Sequence, residues 1–175
     1  MAYRFISFGY TAIEDNTGFL FWQVAHIWSM AHDKMLKKMF NINQLHYVIL
    51  SNAYWLHSRN GIEVTQSFLS QYTKIEKMTI SKNLQILEEQ GYIFRTPHST
   101  DSRANAVFLT EKGLDLLEEA VRMITEIDMK FFAPLGKSLR SFNKKLLTLI
   151  EHNRKNRKPL LPVNKNRELL KAENK

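Results

Sequence analysis

Between Lys77 and Gln85 the chain sets Lys77, Met78, Ser81, Lys82 and Gln85 on one side of a helical period, with Thr79 at its rim. Residues spaced i, i+3, i+4 and i+7 share a helix face. Small, polar and basic groups in that pattern suit the reading of a groove. Gln pairs bidentately with adenine, Lys favours guanine or phosphate, hydroxyls serve either, and Met can touch a thymine methyl. Further along, Asp101-Ser102-Arg103 offers a long cation able to enter a minor groove or clamp phosphate. Asp101, two residues earlier, can orient that guanidinium through a charge-assisted hydrogen bond. Lys74 and Arg95 are further candidate phosphate contacts, and His98 is a weaker one. The plainer alternatives are a solvated helix face, a turn-forming Asp and an incidental surface Arg. The order of the surrounding elements decides against them.

A short helix over Thr65–Tyr72 leads to a second over about Glu76–Gln90, which stops at Gly91. An apolar strand Tyr92-Ile93-Phe94, a polar loop and a return strand Ala106–Leu109 follow. Two helices and a two-stranded hairpin describe a winged helix-turn-helix. Ile80, Leu84 and Leu87 give the groove helix its inward stripe, and Phe68 and Leu69 do so for the helix before it. Gly91 suits a left-handed helix end. Upstream, Leu20, Val24, Ile27, Ala31, Met35 and Met39 mark a helix over 17–40, and Phe21, Trp22, Trp28 and Phe40 widen its apolar face. Asn43 caps a helix over Gln44–Ser58 that buries Leu45, Val48, Ile49, Ala53 and Leu56. Asn60-Gly61 is a turn, and Ile62-Glu63-Val64 can form a short strand. Thr110 caps a long helix with the stripe Leu117, Val121, Ile124, Ile127 (or Asp128) and Phe131, ended by Pro134-Leu135-Gly136. A last helix carries Leu139, Phe142, Leu146 and Leu149. Residues 1–16 show no firm periodicity. The small winged lobe cannot cover all the apolar area of the terminal helices, so a second copy of the chain is expected to cover it.

At 175 residues with 44% hydrophobic and 24% charged side chains, this is the composition of an ordinary soluble protein. There is no cysteine, which removes disulfides, thiolate metal sites and cysteine redox sensing. Met1–Tyr10 lacks the apolar core of a secretory signal, and no apolar run approaches the roughly 20 residues that span a bilayer, so a cytoplasmic protein with no membrane partner is the simplest reading. Net charge is +8, yet residues 154–175 hold eight Lys/Arg and two Glu, or +6 of it. The winged segment 62–113 has six of each sign and is neutral. The basic tail, expected to be flexible, either adds salt-dependent attraction to DNA or merely solubilises, and composition favours neither.

Trp22, His26 and Met30 on the first helix, with Tyr47, Tyr54 and Trp55 on the second, can form an aromatic ligand pocket anchored by His26. Core and dimer interface is the favoured reading of such rings. The six scattered histidines show no paired ligand spacing, so no metal or other cofactor is expected. There is no Gly-rich phosphate loop, nucleophile elbow or Cys nucleophile, so the chain is not read as an enzyme.

The stretch from Val64 to Gly113 resembles the MarR family of winged-helix regulators. The matching pieces are Thr65-Gln66-Ser67-x-Leu69, Met78-Thr79-Ile80-Ser81-Lys82, Leu87-Glu88-Glu89-Gln90-Gly91-Tyr92-Ile93, Asp101-Ser102-Arg103-Ala104 and Leu109-Thr110-Glu111-Lys112-Gly113. Helix layout extends the likeness to roughly residues 17–152. The resemblance implies a homodimer on a pseudo-palindromic operator, usually a repressor, released in many members by a small, often phenolic or aromatic effector. The lack of cysteine sets this chain apart from the peroxide-sensing branch. Only Arg95 stands in Phe94-Arg95-Thr96-Pro97-His98, where such proteins often carry two adjacent basic residues.

The expected architecture is mainly α: a winged helix-turn-helix lobe (62–113) with a small β-hairpin wing, and long terminal helices (17–40 and 114–153) forming a homodimer interface. These make one domain, 17–153, followed by the tail 154–175. The expected function is sequence-specific binding of double-stranded DNA in transcription regulation. An architectural DNA protein without base specificity is the alternative, and a winged helix turned to protein binding is a third.

Overall fold

The side-chain oxygen of Asn16 accepts a hydrogen bond from Phe19 N at 3.0 Å and starts the first long helix. The structure is a computed structural model that describes residues 9–154. The first eight residues of the expected irregular start, and the expected flexible tail from residue 155 on, lie outside it. Helix α1 runs Thr17–Phe40 and ends at Asn41 in the left-handed conformation. Asn43 caps α2, Gln44–Asn60, which ends at left-handed Gly61. Thr65 caps α3, Gln66–Thr73, and α4 spans Lys77–Glu89. The hairpin strands β1, Ile93–Pro97, and β2, Asn105–Leu109, pair antiparallel with Ile93 opposite Leu109 and Pro97 opposite Asn105. Thr110 caps α5, Glu111–Phe132, and α6 spans Leu139–Arg154.

The core lies where α2 meets α4, the hairpin and the first half of α5. Leu36, Ile49, Leu50, Leu56, Leu69, Ile80, Leu84 and Leu87 are fully buried there, with Ile93 and Val107 from the hairpin. A polar tie joins the long helices. Trp28 Nε1 donates to Asp128 Oδ1 at 2.7 Å, His32 Nε2 to the same oxygen at 2.9 Å, and Gln44 Nε2 to His32 Nδ1 at 3.5 Å.

Four expectations are corrected. The strand expected at 62–64 is reduced to a bridge between Thr65 and Ala106, with Val107 N donating to Val64 O at 2.9 Å. The first wing strand extends to Pro97, and α2 runs two residues past Ser58. Pro134-Leu135-Gly136 does not simply end a helix: it lies in a 3-10 stretch, Ala133–Ser138, kinked at Gly136 (φ 47°, ψ −128°). By contrast, the expectation that the lobe alone cannot cover the terminal helices agrees with the exposure of most of the α1 stripe. Leu20, Val24, Ile27 and Met39 face solvent, as does Val121 on α5, and only His32 and Leu36 of α1 are fully buried. Helical spacing shows that a face is apolar, not whether its own chain covers it. Among the described residues no helix is long and apolar enough to cross a membrane.

Candidate nucleic-acid interface

Helix α4 buries Ile80, Leu84 and Leu87 and turns the opposite face outward. Lys77, Met78, Lys82 and Gln85 are exposed, Met78 by 75%, while Thr79 and Ser81 are half-buried beside them. An unpaired apolar side chain that exposed, within a polar face, is suited to a thymine methyl. Gln85 Nε2 donates to Glu89 Oε1 at 2.9 Å, a surface bond a base edge can replace. The turn before α4 holds Lys74 in the left-handed conformation (φ 64°), its Nζ donating to Gln71 O at 2.8 Å.

The wing brings further cations to the same side. Asp101 Oδ1 accepts from Arg103 N at 3.1 Å and from Arg103 Nε at 3.3 Å, and the Arg103 side chain remains 91% exposed. Lys77, Arg95 and Arg103 converge on a notch of about 180 Å³ whose floor is Thr65, Gln66, Ser67, Ala104, Asn105 and Val107. Thr65-Gln66-Ser67 begins α3, so backbone N–H groups and the positive end of the helix dipole join the side-chain cations there. Arg95 is not free. Its guanidinium pairs with Glu88 of α4, which holds the Glu88 carboxyl below the usual glutamate range and Arg95 above its own. The pair fastens β1 to α4 and leaves Lys77 and Arg103 as the more available cations of the notch, the acidic partner of Arg103 being the exposed Asp101. His98 is likewise engaged, 3.6 Å from Glu63, whose carboxylate accepts from Ser99 N at 2.8 Å. That bond from Ser99, with His98 as a lesser cause, lowers the Glu63 pKa.

The end of α4 and the start of α5 are stitched together, which fixes the wing between them. Thr110 Oγ1 donates to Gly91 O at 2.7 Å and accepts from Gly113 N at 3.1 Å, while Thr110 N donates to Tyr92 O at 3.0 Å. Lys112 Nζ donates to Gln90 O at 2.8 Å and lies 4.7 Å from the centre of the Tyr92 ring. A Cβ on Gly113 would fall 2.0 Å from Tyr92 O. Sequence reasoning found Thr110 as a cap but assigned no part to Glu63, Glu88 or Gln66. Their partners lie 7 to 36 residues away, beyond the reach of local pattern.

A family model described as MarR family matches residues 53–104, which run from α2 through the wing loop. The HTH-type transcriptional regulator YdcH of Bacillus subtilis (strain 168) is 30% identical over 137 residues, covering 78% of this chain and 91% of that protein. The chain belongs to the MarR family. It is a DNA-binding transcriptional regulator, and its relatives are regulators rather than enzymes. The fold matches that of MepR from S. aureus, solved as a DNA complex, with a TM-score of 0.68, 23% identity, and coverage of 79% of this chain and 98% of that one. CouR from Rhodococcus jostii RHA1, solved bound to p-coumaroyl-CoA, matches with a TM-score of 0.68 and 22% identity, over 81% of this chain and 95% of that one.

In this MarR-family chain the five aromatic candidates do not share one setting within a protomer, only Trp22 and His26 of them being in ring contact with each other. Trp22 and His26 stack with ring centres 5.2 Å apart on the exposed face of α1. Tyr47 is half-buried, and burial first, then the charge of Asp128, raises its hydroxyl pKa. Trp55 carries Arg59 over its ring at 5.0 Å. Tyr54 alone of the five lines a mostly apolar hollow of about 260 Å³ with Ala53, His57, Phe94, Val107, Phe108, Leu109 and Leu114. Sequence reasoning missed that hollow, since α2 and the wing meet only in the fold. Among the described residues no group of three or more His, Cys, Asp or Glu could hold a metal ion.

Proposed function

We propose that two copies of this chain bind a pseudo-palindromic operator and repress by occupying promoter DNA. Each α4 enters a major groove, with Lys77, Met78, Thr79, Ser81, Lys82 and Gln85 as its reading face. The notch between α3, α4 and the wing takes a backbone phosphate through Lys77 and Arg103. Asp101 orients Arg103, and Lys74 adds a contact before the helix. Arg95 acts mainly through Glu88, holding the wing. The observation that carries this reading is the exposed polar face of α4 set beside that cationic notch. In this division of labour 62–113 reads DNA, while 17–40 and 114–153 join the protomers.

Charge and exposure support the dimer. Helix α5 carries six acidic and three basic side chains, net −3, while α6 carries four basic and one acidic, net +3. Both helices also leave apolar residues uncovered, including Val121, Met129, Leu147, Leu149 and Ile150. The hollow beside Tyr54 touches both α2 and the wing, so a small aromatic effector seated there can favour a dimer whose lobes are wrongly spaced. Competition binding tests the central claim. One palindrome should be preferred over random duplex by about 10³ or more at physiological salt. Equal binding to all duplexes would favour an architectural protein instead.

A further inference from the structure

The wing loop, residues 98–104, closes on itself. His98 N donates to Ala104 O at 3.0 Å, Ala104 N to Asp101 O at 3.0 Å, and Thr100 N to His98 Nδ1 at 3.2 Å. Within this ring Asp101 holds Arg103. The hairpin beneath has two strands, which end at Pro97 and restart at Asn105, so the loop could swing as a unit. A side chain from the body of the lobe restrains it. Glu63, in the link between α2 and α3, reaches across 36 residues of sequence to accept from Ser99 N at 2.8 Å. The backbone that carries Glu63 is itself fixed. Val64 is fully buried, its carbonyl accepts from Val107 N at 2.9 Å, and Thr65 bridges to Ala106. Thr65, Gln66 and Ser67, which follow, line the notch where Lys77 and Arg103 converge. The carboxylate thus ties the loop that carries Arg103 to the segment that builds the other side of the notch. The Ser99 bond, with His98 Nδ1 3.6 Å away as a lesser cause, keeps that carboxyl below the usual glutamate range and therefore ionised.

We infer that Glu63 is a positioning residue for DNA binding: by holding Ser99 it fixes where the wing loop stands over the start of α3, and so presents Arg103 to a backbone phosphate. The inference rests on the phosphate notch proposed above, not on the choice of operator. A carboxylate beside a DNA-binding wing otherwise repels phosphate, so removing a merely solvated one strengthens binding to every duplex. Removing this one frees the loop, and Arg103 must then be ordered at the moment of binding. The two roles predict opposite signs.

The test is binding of the full chain to a fluorescent duplex of random sequence across a salt series. The variants are Glu63→Ala, Glu63→Gln, Arg103→Ala and the double variant Glu63→Ala with Arg103→Ala. Glu63→Ala should weaken binding about three- to tenfold, the net worth of one hydrogen bond. It should also lower the slope of log affinity against log salt by roughly 0.9, one phosphate contact. Glu63→Gln keeps an acceptor for Ser99 N and drops the charge, so it should bind at least as tightly as the unmodified chain. With Arg103 already replaced, Glu63→Ala should no longer weaken binding, because no cation is left to place. Tighter or unchanged binding in Glu63→Ala would overturn the inference. So would an equal loss in Glu63→Gln, or an undiminished effect of Glu63→Ala in the double variant. If Arg103→Ala alone leaves affinity and slope unchanged, the phosphate role of the notch fails and takes the inference with it. A normal loss in Arg103→Ala beside a harmless Glu63→Ala sinks the inference alone. The Glu63 side chain is 30% exposed, so neither substitution opens a core cavity, and melting curves should show both variants folded.

Discussion

Arg103 keeps 91% of its side chain exposed while Asp101 holds its backbone N and its Nε. A long cation fixed at its root loses less side-chain freedom when it meets a phosphate. Arg103→Ala should lower the salt slope by about 1 and weaken every duplex alike if the contact is to phosphate. Asp101→Ala should weaken binding less and leave the slope intact, since the cation remains. A larger loss in Asp101→Ala would show that the carboxylate does more than orient. His46 makes a second prediction. It lies behind α4, 6% exposed, with neither ring nitrogen hydrogen-bonded, although Asn83 is its polar neighbour. The Asn83 amide is committed to Thr79 O at 2.8 Å. Burial lowers the His46 pKa from 6.5, and the contribution of Asn83 in the opposite sense is smaller. The folded state therefore favours neutral His46, and the unfolded chain binds the extra proton. Stability from this group is complete above about pH 6.5 and is lost as pH falls toward the folded pKa. Denaturant unfolding at pH 7.5 and 5.5 should show a drop that His46→Leu reduces. A parallel drop in both proteins would place the pH dependence elsewhere.

The caps Asn43, Thr65 and Thr110 and the glycine stop at Gly91 were legible because each acts within three or four residues. The inward stripe of α4 was legible for the same reason: its period belongs to one helix. Local pattern could not show the second duties of the same residues. Thr110 caps α5 and also holds Gly91, and Gly113 is small because the Tyr92 carbonyl needs its space. The tie from Trp28 and His32 to Asp128 joins residues about a hundred positions apart, so the uncertain choice between Ile127 and Asp128 could be settled only by packing. Gly113→Ala tests the junction. A Cβ 2.0 Å from a backbone oxygen cannot be relieved by a side-chain rotation, so α5 must shift away from the wing. The expected loss is about 1–3 kcal/mol, typical of overpacking, seen as a lower melting temperature. Thr110→Ala should cost about 0.5–2 kcal/mol through the lost cap. The two effects should be less than additive, because both loosen one junction. Full additivity would mean that the contacts act independently.

At the scale of the molecule, the apolar stripes of α1 and α6 were legible but their destination was not, since periodicity is the same for a helix buried by its own chain or by a second one. Ile27 is 58% exposed and Leu149 57% exposed in the single protomer. Replacing either by Glu removes little from the core of the lobe, and it should leave the secondary structure intact. In a two-fold interface, however, each substitution enters twice, and a charge buried without a partner costs far more than the lost apolar area. Ile27→Glu and Leu149→Glu should therefore sediment as folded monomers at concentrations where the unmodified chain sediments as a dimer. Each monomer retains its α4 face and its notch, so it should still bind duplex weakly and in a salt-dependent way. It should lose the gain from gripping two half-sites one duplex turn apart, about 34–36 Å. Binding to a single half-site should fall little, whereas preference for the full palindrome over that half-site should collapse. If both variants remain dimeric, the interface lies on other surfaces; if a true monomer keeps the palindrome preference, recognition does not depend on pairing the lobes.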